Sequence, residues 1–403
     1  MSGGLDARES RLAALLGARA AAIEADLAAL VAIPTGRGFT PGLDETRGLL
    51  TRRLARLGGR VELVPGEPVP DWLSTAPDAA DAPPPPTAIV RGPDAPGRSV
   101  LVAAHLDTVH DPRGPFRSLV RDGDLARGPG AADMKGGIAL LVHALEAIAE
   151  CGLAARWTVL LNSDEETGSH ASAACLAAEA SRHEFGLAVE PATAAGGLVV
   201  ERMGAGQFRL DVRGRSAHVG RDFTAGVSAV NELARKLLEI ERISRPEEGR
   251  IASVGPLRGG AVSNAVPDSA SAWGNVRFRD PAAEAGLAAA LDALATAPDA
   301  MPAVRVRRSF LRPAKPRIPA TLRMAEGIRA VSESLGLPLP FESTGGVCDG
   351  NNLQAAGLPT LDTLGVRGGN LHREDEFVEI PTLGARAALL AIVLLRASEG
   401  RLA

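Results

Sequence analysis

Two textures of apolar and polar positions divide this chain. Between residues 100 and 190, short uninterrupted apolar runs alternate with stretches of helical spacing. The runs "SVLVAAH", "WTVLLNS" and "FGLAVE" close at His105, Ser163 and Glu190, with helices predicted over about 134–149 and 171–180 between them. Strands apolar on both faces, separated by helices, predict an α/β fold with a mostly parallel sheet covered on either side. Helices are also predicted over 12–31, 45–57 and 382–397. After Met203 the period changes to two. "QFRLDVRG", "ASAWGNVRFRD" and "AVRVRRSF" alternate as half-exposed antiparallel strands, with helices over 225–240 and 282–294. Strand, helix, strand, strand, helix, strand is the α+β order of a small inserted unit. The α/β texture returns at Pro319. The expected organisation is a discontinuous first domain, 1–203 and 314–403, with a second domain inserted at 204–313.

Composition narrows the partners. A chain of 403 residues, 45% apolar and 23% charged, suits two ordinary globular domains. Aromatics are 3% with no Tyr, so aromatic platforms for single-stranded nucleic acid are not expected. A net charge of −4 argues against nucleic-acid and anionic-membrane partners. Cys151, Cys175 and Cys348 are widely spaced and read as free thiols of a reducing compartment. The longest apolar run, 387–395, is short of the ~20 residues a membrane span needs, and the first residues show no signal-peptide core, so a cytoplasmic location is expected. Residues 65–86 are rich in Pro, Asp and Ala and read as an irregular excursion, with Trp72 as its anchor rather than the substrate contact it could also be.

The candidate chemistry lies at the ends of the buried runs. His105, Asp133, Glu166, Glu190 and His372 are residue types that hold zinc in hydrolytic sites. Two ions sharing one carboxylate need five protein ligands, and Glu165 remains as a spare carboxylate to move a proton. His105 and Asp107 are two apart after a strand, which suits a ligand histidine oriented by a carboxylate, or an ordinary strand-end pair. Asp133 follows a Gly-rich loop and reads either as a ligand or as a helix N-cap. Gly136 and Gly137 open the helix after it at a cost in propensity that close packing would explain. Glu165 and Glu166 can divide into a base and a ligand, or form a solvated acidic turn. His110, His143, His170 and His183 read as ordinary, whereas His218 sits in a Gly/Ser turn of the inserted unit.

The ordered set "HLDTV", "GPGAADMKGG", "DEETGS", "VEP", "GRSAHVG", "SNAVPDSA", "GGVCDGNNL" and "GNLHREDEFVEI" resembles the dizinc peptidase and deacylase family of glutamate carboxypeptidase, aminoacylase, acetylornithine deacetylase and succinyl-diaminopimelate desuccinylase. The match runs in order over about 90–390. It implies a zinc-exopeptidase-like catalytic domain and a ferredoxin-like inserted domain that dimerises. It implies that Asp133 bridges two zinc ions (cobalt or manganese being alternatives), with His105 and Glu190 completing one site and Glu166 and His372 the other. Glu165 would be the general base and then acid, and Asp107 would orient His105. His218 would reach the active site of the other subunit in a homodimer and polarise the scissile carbonyl. Asn264 and Arg277 would contact substrate, Arg277 by gripping a carboxylate. The implied reaction is hydrolysis of an amide beside a free carboxylate in a peptide, or of an N-acyl amino acid. A metal-dependent esterase or carbamoylase and a non-catalytic binding relative are the alternatives. Residues 191–200 lack the basic residue that glutamate-specific members carry there, which argues against glutamate selectivity.

Overall fold

The computed structural model describes residues 4–36, 38–73 and 83–402. In chain order, α1 (Ala7–Ala18), α2 (Ala20–Ala32) and α3 (Thr40–Ala55) precede β1 (Arg60–Val64), β2 (Thr87–Arg91) and β3 (Val100–His105). The short strands β4 (Val120–Asp122) and β5 (Leu125–Arg127) follow, then α4 (Gly137–Glu150), β6 (Trp157–Asn162), α5 (Ala173–Ala180), β7 (Phe185–Ala188) and β8 (Leu198–Arg202). Next come β9 (Gly204–Arg213), α6 (Ala229–Ile243), β10 (Arg250–Gly259), β11 (Ser269–Phe278), α7 (Pro281–Asp292) and β12 (Ala303–Arg312). The chain ends with α8 (Pro319–Ser334), β13 (Phe341–Thr344), α9 (Asp349–Ala355), β14 (Thr360–Leu361), β15 (Gly368–Gly369), β16 (Phe377–Glu379) and α10 (Leu383–Ser398).

The central sheet has the order β1-β2-β6-β3-β7-β14. Its pairings are parallel from β6 to β14 and antiparallel at the β1-β2-β6 edge. All residues of β3, β6 and β7 are buried, as their unbroken apolar runs require. The second sheet, β10-β11-β9-β12, is antiparallel throughout. One face packs Phe208, Leu210 and Val212 into a core of its own with Leu233 and Ile240 of α6 and Leu287 and Leu291 of α7.

Three expectations needed correction. The single helix over 12–31 is two, broken at Arg19. Leu16 and Ile23 stay seven residues apart across the break, so the apolar period does not register it. The break lets Gly384 of α10 approach Gly17, where a Cβ on Gly384 would lie 3.0 Å from the Gly17 Cα. The helix expected from Met134 starts at Gly137, because Ala131–Gly136 form a wider turn in which Asp133 and Met134 have non-helical backbone angles. The apolar run 387–395 belongs to a 19-residue helical stretch, Ile380–Ser398, long and apolar enough by itself to cross a membrane. It is a core helix here: 78% of its apolar window is buried in the fold. The three cysteines are unpaired. Of the Pro-rich excursion, 74–82 lie outside the described residues.

Candidate active site

Gly137 shows why this helix begins with glycine. A Cβ there would sit 1.9 Å from the Val189 carbonyl, so α4 can dock against the strand leading to Glu190 only without a side chain. This docking brings the turn carrying Asp133 to the ends of β3 and β7, where open α/β sheets place their sites. The turn is further held by Glu376. Its carboxylate accepts from the backbone N–H groups of Ala132 and Asp133 at 2.7 and 2.9 Å and of Gly130 at 3.1 Å, and its Oε2 lies 2.7 Å from His110 Nε2. Neither Glu376 nor His110 stands out in the sequence, since Glu376 acts on backbone amides and His110 on the Glu376 carboxylate.

Asp133 stands at the centre. Its Oδ1 lies 3.1 Å from His105 Nε2 and its Oδ2 3.3 Å from His372 Nε2. His105 Nε2 is also 3.9 Å from Glu190, and His372 Nε2 is 3.2 Å from Glu166. Two triads result, His105/Asp133/Glu190 and Asp133/Glu166/His372, and within each the ligand atoms lie within 4.8 Å of one another. The N-cap reading of Asp133 fails, because Gly136 occupies the N-cap of α4. The solvated-turn reading of the Glu pair fails too, because both lie mostly within the fold and Glu166 Oε1 is buried with no hydrogen-bond partner among the described residues.

Asp107 does more than expected. Its main-chain carbonyl accepts from His105 Nδ1 at 2.9 Å, while its carboxylate stays 3.6 Å from that atom. The carboxylate instead accepts from the backbone N–H groups of Glu165 and Glu166 at 3.2 and 3.0 Å. One residue thus positions the histidine with its backbone and the Glu pair with its side chain.

The electrostatics fit a cation site. Burial drives Glu190 well above the ordinary carboxylate range, lifts Glu166, and pushes Glu165 up to about 8 against the pull of Arg312. Burial opposes the charging of His105, yet Asp107 and Asp133 hold it well above the usual imidazole value, and Asp133 and Glu166 push His372 to about 10. Burial would raise Asp133, but His105 and His372 keep it low. The two imidazoles are thereby asked to supply positive charge to a cluster of carboxylates. Divalent ions would supply that charge directly and would also satisfy Glu166 Oε1.

A cleft of about 270 Å³ opens beside this cluster, lined by Glu165, Glu166, His170 and His372 on one side and by Gln207, Asn275, Arg277 and Ser309 of the second sheet on the other. Arg277 is therefore brought to the site. Arg312, unforeseen in the sequence, closes the base of the cleft. It bonds Glu165 Oε1 at 2.7 Å, Asp349 Oδ1 at 2.7 Å and Ser169 Oγ at 2.8 Å. His170, read as ordinary, lines the cleft. His218 and Asn264 do not line it. They are exposed neighbours on the inserted unit, where the Val219 N–H donates to the Asn264 carbonyl at 3.0 Å.

Fold and site define a metal-dependent hydrolase with two triads that could hold metal ions at the strand ends of an α/β sheet. The model of peptidase family M20/M25/M40 matches residues 101–396, and the chain belongs to that family. It is 30% identical over 321 residues to carboxypeptidase G2 of Pseudomonas sp. (strain RS-16), covering 76% of this chain and 75% of that protein. It is 32% identical over 319 residues to a succinyl-diaminopimelate desuccinylase of Acidiphilium cryptum, covering 73% and 82%. Among solved structures, an M20-family metallo-carboxypeptidase from Sulfolobus solfataricus shares the fold with a TM-score of 0.73 at 14% identity, covering 94% of this chain and 99% of that one.

Proposed function

We propose that this chain is a dizinc amidohydrolase that cleaves an amide bond beside a free carboxylate, in the manner of a carboxypeptidase. The observation that carries this reading is the pair of triads sharing Asp133, set next to Glu165 in a cleft that also holds Arg277. His105, Asp133 and Glu190 would hold one ion, and Asp133, Glu166 and His372 the other. When bound, zinc would supply Lewis acidity toward the amide carbonyl and the attacking water. Glu165 takes the water proton as the oxygen adds to the carbonyl carbon, and returns it to the nitrogen as the C–N bond breaks. Arg277 holds the substrate carboxylate through its planar fork.

His218 and Asn264 complete the site of a partner subunit in a homodimer, with 204–313 as the dimerising domain. Their distance from the cleft of their own chain supports this, as do the exposed apolar residues Val219, Phe223, Leu238, Leu257 and Val262 on the same unit. A second reading, an N-acyl-amino-acid deacylase, is favoured by the desuccinylase relative and by the uncharged stretch after Glu190. Five intact ligands and Glu165 count against a non-catalytic binder. The test is a hydrolysis screen of C-terminal dipeptides, N-acyl amino acids, esters and carbamoyl compounds with zinc-, cobalt- and manganese-loaded protein. Turnover of the dipeptides above all others supports the carboxypeptidase reading; turnover of N-acyl amino acids alone selects the deacylase; none on any amide removes both.

A further inference from the structure

The described ends of the Pro-rich excursion pack beside cleft-lining His170 and against the second sheet. Near its start, the Glu67 N–H donates to the Ala171 carbonyl at 2.9 Å, next to cleft-lining His170. Gly66 is pressed so close to the returning chain that a Cβ would lie 2.6 Å from the Pro85 carbonyl. A few residues on, the Trp72 carbonyl accepts from Trp273 Nε1 at 2.9 Å, on the open face of the second sheet. Arg209 lies 4.4 Å above the Trp273 ring and Arg307 lies 6.0 Å from the Trp72 ring, while Asp211 pairs with both guanidiniums. Trp273 is only 6% exposed, although Asn275, its neighbour on that face, is open to solvent.

The strand register fixes where this anchor stands. Arg307, Arg209 and Trp273 form one row across β12, β9 and β11, and Ser309, Gln207 and Asn275 form the next row on the same face. The second row lines the cleft. Trp72 therefore stands one row beyond it, about 7 Å along the strands, and Trp273 lies about 13 Å along β11 from Arg277.

We propose that Trp72, with the row that holds it, ends the substrate cleft on the acyl side and sets the longest acyl group the enzyme hydrolyses. This rests on the reading of Arg277 as the grip on the substrate carboxylate. A substrate pinned there can grow only away from Arg277, toward the Trp72 wall. The span holds about three to four extended residues.

A ladder of substrates tests this, all sharing one C-terminal residue and running from the N-acetyl amino acid to a hexapeptide. The enzymes are the wild type, Trp72→Ala and Trp273→Phe; the latter keeps a ring under Arg209 but loses the donor to Trp72. Wild-type kcat/KM should fall steeply beyond about four residues, and both variants should raise the hexapeptide-to-acetyl ratio about tenfold. A purely structural role would lower every member by one factor and leave that ratio fixed, which overturns the proposal. A flat wild-type profile overturns it without any variant, so the test survives if Trp72→Ala does not fold. Inactivity on the whole ladder removes the amidase reading and the wall with it, and is recognisable as a separate outcome.

Discussion

The candidate metal cluster and the face of the second sheet border one cleft but are built on opposite principles. The cluster sits at the ends of strands buried on both sides, and its neighbours fix it through the backbone: Glu376 on the amides around Asp133, Asp107 on the amides of the Glu pair. The sheet face is half-exposed and rich in arginine, held by side-chain pairs such as Asp211 with Arg209 and Arg307. On the proposed reading, reaction chemistry would lie where the backbone holds the side chains, and substrate choice where one side chain can change without disturbing a core. Substitutions in the first region should therefore act on turnover and metal, and those in the second on selectivity.

The sharpest separation lies within the cluster. Glu165→Gln should lower kcat by about three orders of magnitude or more with metal content retained, because the amide cannot take the proton. Glu166→Gln should lose metal. Steady-state kinetics with metal analysis checks both, and exchanged phenotypes would reverse the two roles.

The next effect crosses the subunit boundary. Glu165→Ala and His218→Ala homodimers should each be nearly inactive. After subunit exchange, about half the dimers are mixed and one site of each is intact, so roughly a quarter of all sites should work. Activity no greater than the mean of the parents would place His218 outside any shared site.

On the sheet face, Arg277→Lys should weaken substrates with a free carboxylate by about tenfold or more relative to their amides, since lysine keeps the charge but loses the fork. Equal losses on both would make Arg277 a structural strand residue.

The smallest effect concerns stability. Asp362 is buried against Arg202 and Lys315, at 2.7 and 2.9 Å. Burial would raise its carboxyl, but these cations lower it to about 2 from an ordinary 3.8. A carboxyl depressed on folding contributes stability above its unfolded value and loses it as pH falls through the folded one. The window is pH 4 to 2, and the contribution is about 2 kcal/mol. Denaturant unfolding should show the stability gap between wild type and Asp362→Asn shrinking across that window; a gap independent of pH would contradict the assignment.

Much of the cluster could be read in the sequence because buried parallel strands write themselves as apolar runs, and His105 and Glu190 mark where two of them stop. Gly136 and Gly137 signal close packing in the sequence, and the structure gives Val366 and Val189 as their respective neighbours. Arg312 and Glu376 could not be found this way. Arg312 reaches a carboxylate 147 residues away and Glu376 a backbone amide 244 residues away, and an isolated Arg or Glu carries no period. The break at Arg19 was hidden for the opposite reason, since the apolar spacing runs through it unchanged. His218 and Asn264 were legible only by resemblance, and their own chain leaves them at the surface.

The central claim is a two-ion site organised by Asp133. Metal stoichiometry, measured by mass spectrometry after stripping the protein and titrating zinc back, tests it most directly. The account expects a plateau near two ions per chain, because the five ligands divide into two triads around one shared carboxylate, with Asp133→Asn weakening both ions together. A plateau at one ion, or an Asp133→Asn protein that keeps two tightly bound, would contradict it.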